Sequence, residues 1–184
     1  INVGSIEETK AEMWVKDSSS IPFQSSQTNY ALSKLASRDA SKMTAYLEKI
    51  DYIHTRISVP LDLSLNSGNY IAKSLSQIAR GCTIESPRSL ALYDIVSTKD
   101  LGNAFYSIAM QGKNLSDYYI GNSMPAKLAS IFQYFESKIN GKLSDLNIEE
   151  DRHDIFSSKS ITEDTGFKAK ENLHYLAQLF TKIS

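Results

Sequence analysis

Residues 29–34 form the stretch Asn-Tyr-Ala-Leu-Ser-Lys, which opens the strongest helical pattern in the chain. Tyr30 and Lys34 are four positions apart, so on a helix both side chains leave the same face, one turn apart. The pattern predicts a helix over residues 30–50. Its apolar positions recur at spacings of three and four, at Leu32, Leu35, Ala36, Ala40, Met43, Leu47 and Ile50.

A phenol beside an ammonium is a workable acid/base unit, because the positive charge favours the phenolate. Tyr30 and Lys34 are therefore candidate catalytic residues. A Tyr and a Lys at this spacing also occur on many ordinary helix surfaces, so the motif needs support from the segments around it.

Strand-like stretches stand on both sides of this helix. Residues 1–5, Ile-Asn-Val-Gly-Ser, predict a strand, and Ser5 falls at its end, where parallel sheets collect active-site groups. Residues 52–59 predict a second strand, closed by Pro60. The charged and serine-rich residues 6–29 are interpreted as a surface excursion. Because a helix followed directly by a strand is typical of α/β proteins, we predict an α/β fold with parallel strands.

The second half of the chain continues this alternation. A strand entering a helix is predicted at residues 93–101, with Asp100 as the N-cap, and a short strand at residues 117–121. Gly81 is expected to end the helix that is predicted over residues 69–80. Helices are predicted over residues 69–80, 100–111, 126–139 and 170–183.

Composition limits the possible classes of function. With 184 residues, 41% hydrophobic residues and a net charge of −1, the chain gives no electrostatic reason to expect nucleic acid or an anionic membrane as a partner. No apolar run approaches the ~20 residues of a membrane span. The single cysteine, Cys82, fits a reducing compartment, so a cytoplasmic location is expected. His54 has no second ligand at metal-binding spacing, so we interpret it as a packed residue and predict no metal site.

The order of these elements resembles the extended short-chain dehydrogenase/reductase family, and within it the NAD-dependent sugar-nucleotide epimerases and dehydratases. The resemblance rests on the strand ending in Ser5, on Tyr30-x-x-x-Lys34, and on the strand that ends Arg56-Ile57-Ser58-Val59-Pro60. Residues 93–101 resemble the family's Arg-Asp-aromatic-Ile-x-Val-x-Asp-Leu segment. The resemblance spans nearly all of the chain.

The resemblance implies roles for the residues at the matching positions. Tyr30 would be the general acid/base, and Lys34 would activate it and hold the nicotinamide ribose of NAD or NADP. Ser5 would bond the reacting oxygen of the sugar. Ser58 and Pro60 would line the cofactor site.

The substrate side of the resemblance is less regular. Val59 stands where many relatives have a substrate-binding Asn, and Ile6 where some dehydratases have an Asp. The reaction therefore stays open among epimerisation, dehydration and 4-keto reduction. Tyr93 stands where many relatives have an Arg, and Arg88 is the neighbouring candidate to supply that charge. The implied substrate-binding residues are Ser5, Glu7, Arg88, Tyr93 and Arg152, the last as a clamp on the diphosphate.

The eight glycines contain no Gly-x-Gly-x-x-Gly or Gly-x-x-Gly-x-x-Gly, the loop that lets a backbone approach a pyrophosphate. We therefore expect a C-terminal fragment of a longer enzyme, homodimeric when intact. Residues 1–60 would be the remaining part of the NAD(P)-binding Rossmann domain, and residues 61–184 mainly the smaller α/β subdomain that binds substrate. A natural truncated relative is the alternative.

Two functions of different class follow. In the first, the chain is part of an NAD(P)-dependent enzyme that acts on a nucleotide sugar, with hydride passing to or from the nicotinamide while Tyr30 moves the proton. In the second, it is a non-catalytic relative that serves as a binding or assembly module. In either case we expect the chain alone to be inactive and not to bind NAD(P) measurably.

Overall fold

A computed structural model of the protein describes residues 1–17, 25–62, 64–65, 68–89, 91–142, 144–151 and 154–181. Strands and helices alternate along these ranges. The strands are β1 (Asn2–Ser5), β2 (His54–Ile57), β3 (Val59–Leu61), β4 (Leu92–Tyr93), β5 (Ile95–Ser97), β6 (Asp117–Ile120) and β7 (Ala126–Lys127). The helices are α1 (Glu7–Lys16), α2 (Ser26–Glu48), α3 (Tyr70–Ala79), α4 (Thr98–Gln111), α5 (Leu128–Ile139), α6 (Lys159–Thr165) and α7 (Leu173–Thr181).

The main sheet is parallel, with strand order β1-β2-β6. Ser5 pairs with Ile57, so the carboxyl ends of β1 and β2 lie at one edge of the sheet. β3 pairs in parallel with β5, and β4 pairs antiparallel with β7. The prediction of an α/β fold with parallel strands is confirmed. Because β6 comes from the later half of the chain, the main sheet draws on both halves.

Helix α2 begins earlier than the sequence predicted. The Ser25 side chain accepts a hydrogen bond from the Thr28 N–H and caps the first turn. Lys49 adopts a left-handed conformation (φ 55°) and ends the helix. Its buried residues, Ala31 and Leu35, pack with Ala11 of α1. The helix is thus fixed against α1 at the end that carries Tyr30 and Lys34.

Residues 7–16 form α1, so this part of residues 6–29 is not the surface excursion that the sequence predicted. Residues 18–24 of that stretch lie outside the described residues. The many charged residues of α1 made its amphipathic pattern difficult to recognise in the sequence. Glu8 and Ala11 are fully buried on the inner face, while Glu7 and Lys10 form an ion pair one turn apart.

Two smaller predictions were wrong. Ser97, not Asp100, is the N-cap of α4: its side chain accepts a hydrogen bond from the Asp100 N–H at 2.9 Å. The buried Asp100 carboxylate instead accepts hydrogen bonds from the N–H groups of Lys170 and Glu171. Pro60 does not close a strand but lies inside β3. A proline is tolerated there because, among the described residues, β3 pairs with β5 alone.

The larger hydrophobic core packs α3, α5 and α7 around β3, with Leu75, Phe135 and Leu176 at its centre. A second core joins α4 and α6 to β6 through Ile108 and Ile161. In the described part of the chain, no helix is both long enough and apolar enough to cross a membrane.

Candidate active site

A cleft of about 640 Å³ opens where the carboxyl ends of β1 and β2 meet the first turns of α2 and α3. It brings together residues that are far apart in the sequence, because parallel strands deliver the segments that follow them to one edge. The cleft is lined by seven of the nine predicted site residues: Ser5, Glu7, Tyr30, Lys34, Ser58, Pro60 and Tyr93.

The other two predicted residues are not part of this lining. Arg88 is exposed in the connection between α3 and β4. Arg152 lies outside the described residues, so the structure places no side chain for it. Sequence reasoning also did not name Gln27, Asn69 and Tyr70, which line the cleft from the start of α2 and of α3.

Tyr30 and Lys34 project from α2 towards the end of β1. The Lys34 Nζ lies 6.0 Å from the centre of the Tyr30 ring and donates a hydrogen bond of 3.2 Å to the Val3 carbonyl. An ammonium has three N–H groups, so this bond ties α2 to β1 and still leaves donors for the cleft. The Tyr30 side chain is half-exposed at the cleft. Both side chains are therefore accessible from the cleft.

A buried carboxylate that the sequence analysis missed supports Ser5 from below. The Ser5 N–H donates to Glu8 Oε1 at 2.8 Å, and Glu8 Oε2 lies 2.7 Å from His54 Nε2. Glu8 is fully buried and His54 almost so. A Cβ atom at Gly4 would overlap both side chains, so the strand needs a glycine beside this pair.

His54 is thus a packed residue, as the sequence predicted, and its partner is Glu8. The pairing was missed because α1 was missed. The signal that would have revealed it is the spacing of Glu8, Ala11 and Trp14, which places the carboxylate on the inner face of a helix.

Asp94 supports the opposite wall of the cleft. Its carboxylate accepts hydrogen bonds from the Tyr119 hydroxyl (2.6 Å) and from the N–H groups of Ile95 (2.9 Å), Ser123 (2.9 Å) and Met124 (3.3 Å). Burial raises the pKa of Asp94, and the hydrogen bonds offset this only in part. Burial and the nearby carboxylate also raise the pKa of Tyr119, which therefore keeps its proton as a donor.

Comparison with known proteins finds similarity in structure only. No family model matches the sequence, and no curated protein matches it. Among solved structures, the chain is similar to WbmF from Bordetella bronchiseptica in complex with NAD+ and UDP, with a TM-score of 0.63 and 15% identity over 89% of this chain and 55% of that one.

Two further structures show the same similarity. RMD from Pseudomonas aeruginosa, complexed with NADPH, gives a TM-score of 0.65 and 18% identity over 99% of this chain and 65% of that one. The UDP-N-acetylglucosamine 4-epimerase from Bacillus cereus gives a TM-score of 0.65 and 14% identity over 98% and 61%. The chain thus spans between half and two thirds of the length of these proteins. At such identities the similarity establishes the fold, which is the Rossmann-like α/β fold of these enzymes.

Proposed function

We propose that this chain carries the acid/base site of an NAD(P)-dependent enzyme that acts on a nucleotide sugar, as an epimerase, dehydratase or 4-keto reductase. The observation that carries the proposal is the meeting of Ser5, Tyr30 and Lys34 in one cleft with Ser58 and Pro60. The structural neighbours solved with NAD+, NADPH and UDP support it.

Each residue has a defined task in this proposal. Tyr30 moves the proton of the reacting hydroxyl, Lys34 supplies positive charge beside it, and the Ser5 hydroxyl bonds the reacting oxygen. The nicotinamide, when bound, supplies or takes the hydride. Pro60 and Ser58 offer a wall against which the nicotinamide ring would lie. The cleft volume of about 640 Å³ suits a nicotinamide riboside together with a sugar ring.

The pyrophosphate of the cofactor needs a glycine-rich turn, and the 184 residues contain none. The residues present therefore fit the reacting end of the cofactor only. We expect the 184-residue chain by itself to bind neither NAD nor NADP in calorimetric titration and to be inactive. Micromolar affinity for either dinucleotide in this chain would contradict that expectation.

The proposal is tested by the full-length gene product, assayed for NAD(P)-dependent turnover of a panel of UDP- and dTDP-linked sugars. Lys34→Ala should lower turnover by about a hundredfold, within the range for a positioned acid/base unit, and should weaken cofactor binding as well. Lys42→Ala is the matched control, because Lys42 is an exposed lysine two turns further along the same helix. Equal activity in the two variants would contradict the proposal.

One observation is compatible with the second candidate function, a non-catalytic binding or assembly module, as well as with the first. Met43, Tyr46 and Leu47 are all more than 60% exposed on the outer face of α2, an arrangement that suits a protein partner. In the enzymatic proposal the same face would serve the homodimer. Light scattering on the gene product and on Leu47→Glu tests this face: a dimer that dissociates in the variant supports it, and a monomer in both contradicts it. The turnover assay decides between the two functions.

A further inference from the structure

A second pocket, of about 200 Å³, adjoins the cleft on the side away from α2. It shares Ile6, Glu7, Ser58, Val59 and Tyr93 with the cleft, so a ligand group in the pocket would lie next to the groups that carry the chemistry. The walls particular to the pocket are mostly apolar: Ala91, Leu92, Ile155 and Phe156. We call it the apolar pocket.

Three segments that are distant in sequence build the shared wall of this pocket. Ile6 follows β1, Val59 begins β3 and Tyr93 ends β4. These are also the three positions at which the sequence has a less polar residue where the resemblance leads one to expect Asp, Asn or Arg. Because all three changes fall in one pocket, they alter a single binding surface together.

The charges around the apolar pocket do not favour a phosphate. Lys10 is the one cation among its described lining residues, and both Glu7 oxygens lie 2.8 Å from its Nζ. Arg56 is near, but it donates hydrogen bonds to Asp117 and to the Thr9 hydroxyl. A diphosphate here would face the carboxylates of Glu7 and Asp94 without an unpaired cation from the described lining to bind it.

We propose that the apolar pocket binds an uncharged, apolar group of the substrate, from a methyl to an apolar ring, attached beside the hydroxyl or ketone that Tyr30 serves. This deepens the proposed function and rests on it for the reaction, while binding in the pocket can be measured without turnover. Two sources present this chemistry: a deoxygenated sugar on a nucleotide, and a free alcohol or ketone with an apolar ring.

The first experiment measures binding of acetophenone to the full-length gene product by ligand-detected nuclear magnetic resonance. Val59→Asn and Ile6→Asp should each weaken binding by about tenfold or more, as expected when a polar group enters an apolar pocket. Val3→Asn is the matched control, because Val3 lines the cleft but not the apolar pocket, and it should leave binding within twofold. Melting temperatures of all variants verify that they are folded.

UDP is the competing probe in the same experiment, with Arg152→Ala as a further variant. If UDP displaces acetophenone and Arg152→Ala abolishes UDP binding, the pocket is a phosphate site and the proposal is overturned. It is also overturned if the wild-type protein does not bind acetophenone, or if Val3→Asn weakens binding as much as Val59→Asn.

A second experiment distinguishes the two sources by comparing turnover of UDP-6-deoxyglucose, UDP-glucose and 1-phenylethanol. Preference for the deoxy sugar nucleotide, lost in Val59→Asn, identifies the first source. Turnover of 1-phenylethanol without turnover of either sugar nucleotide identifies the second source and contradicts the nucleotide-sugar part of the proposed function. Equal turnover of the two sugar nucleotides with none of 1-phenylethanol overturns the proposal. If acetophenone binds as expected but no substrate is turned over, the proposed function fails while the pocket assignment stands.

Discussion

The two walls of the cleft differ in chemistry although they enclose the same space. The wall formed by the end of β1 and the start of α2 is polar and carries Ser5, Tyr30 and Lys34. The opposite wall, where Val59 and Tyr93 lie, leads into the apolar pocket. In the two proposals above, the polar wall serves the reaction and the apolar wall recognises the substrate, so variants of one wall can be compared with variants of the other.

Each wall also rests on its own buried carboxylate. Glu8 holds the Ser5 N–H from below the polar wall and is paired with His54. Asp94 holds the N–H groups of Ser123 and Met124 behind the apolar wall, together with the Tyr119 hydroxyl. Both carboxylates are buried, so the hydrogen bonds that they accept are largely shielded from solvent and hold the two walls in place.

The largest expected effect on stability is at the base of the polar wall. Glu8→Ala leaves the Ser5 N–H and His54 Nε2 buried without an acceptor, and breaking one member of a buried pair costs about 3–5 kcal/mol in the free energy of unfolding. Urea unfolding measures the loss. Glu48→Ala, at the exposed end of α2, is the control and should change stability by less than about 0.5 kcal/mol. A loss in Glu8→Ala no greater than in the control would show that the pair does not support Ser5.

The next effect is at the base of the apolar wall. In Asp94→Asn, an amide nitrogen replaces one acceptor oxygen, so the Tyr119 hydroxyl and the Ser123 N–H, or the N–H groups of Ile95 and Met124, lose their partner. Each buried donor left without an acceptor lowers the free energy of unfolding by about 1–3 kcal/mol. Urea unfolding measures it, and acetophenone binding should weaken with it, since the wall loses its support. Unchanged stability would contradict the role assigned to Asp94.

The difference in stability between the wild-type protein and Asp94→Asn should also depend on pH. Since burial raises the pKa of Asp94 in the folded protein, the folded state holds that proton more tightly than the unfolded chain does. The contribution of Asp94 to stability is therefore complete below its unfolded pKa and falls as pH rises through its folded pKa. The difference in unfolding free energy between wild type and Asp94→Asn should shrink from mildly acidic to neutral pH. A difference that grows with pH would contradict this sign.

The smallest expected effect comes from a substitution that adds a positive charge to the apolar wall. Tyr93→Arg adds a planar, bidentate donor beside the cleft and should raise UDP affinity by about tenfold, or ~1.4 kcal/mol. Tyr93→Phe is the control and should leave UDP affinity unchanged. Calorimetric titration of the gene product with UDP measures both. If Tyr93→Arg gains nothing, the absence of a cation at this wall is not what weakens phosphate binding.

Local patterns predicted the polar wall well. Helix α2 has apolar positions at helical spacing, and β1 and β2 are short strands that end at Ser5 and at Ile57, directly before Ser58. Because β1 and β2 are parallel neighbours, their carboxyl ends lie at the same edge of the sheet. Choosing Asp100 instead of Ser97 as the cap of α4 was a boundary error, since both residues lie within the first turn and only the backbone decides where the helix begins.

The partners of the buried carboxylates were beyond such patterns because they are distant in sequence. Glu8 meets His54 across 46 positions, and Asp94 meets Tyr119 across 25. Helical spacing could place Glu8 on the inner face of α1, but it could not identify His54 as its partner. The apolar pocket has the same origin: Ile6, Val59 and Tyr93 each stood out singly, and only the fold shows that they share one surface.

The central claim is that Tyr30 is the acid/base of an NAD(P)-dependent reaction, and turnover of Tyr30→Phe in the full-length gene product tests it most directly. The change removes one half-exposed hydroxyl, so fold and cofactor affinity should stay nearly intact while turnover falls by about 10²–10⁴-fold. Tyr46→Phe, on the exposed end of the same helix, should keep wild-type turnover. Wild-type turnover in Tyr30→Phe would contradict the claim, and with it the assignment of this cleft as a dehydrogenase-type site.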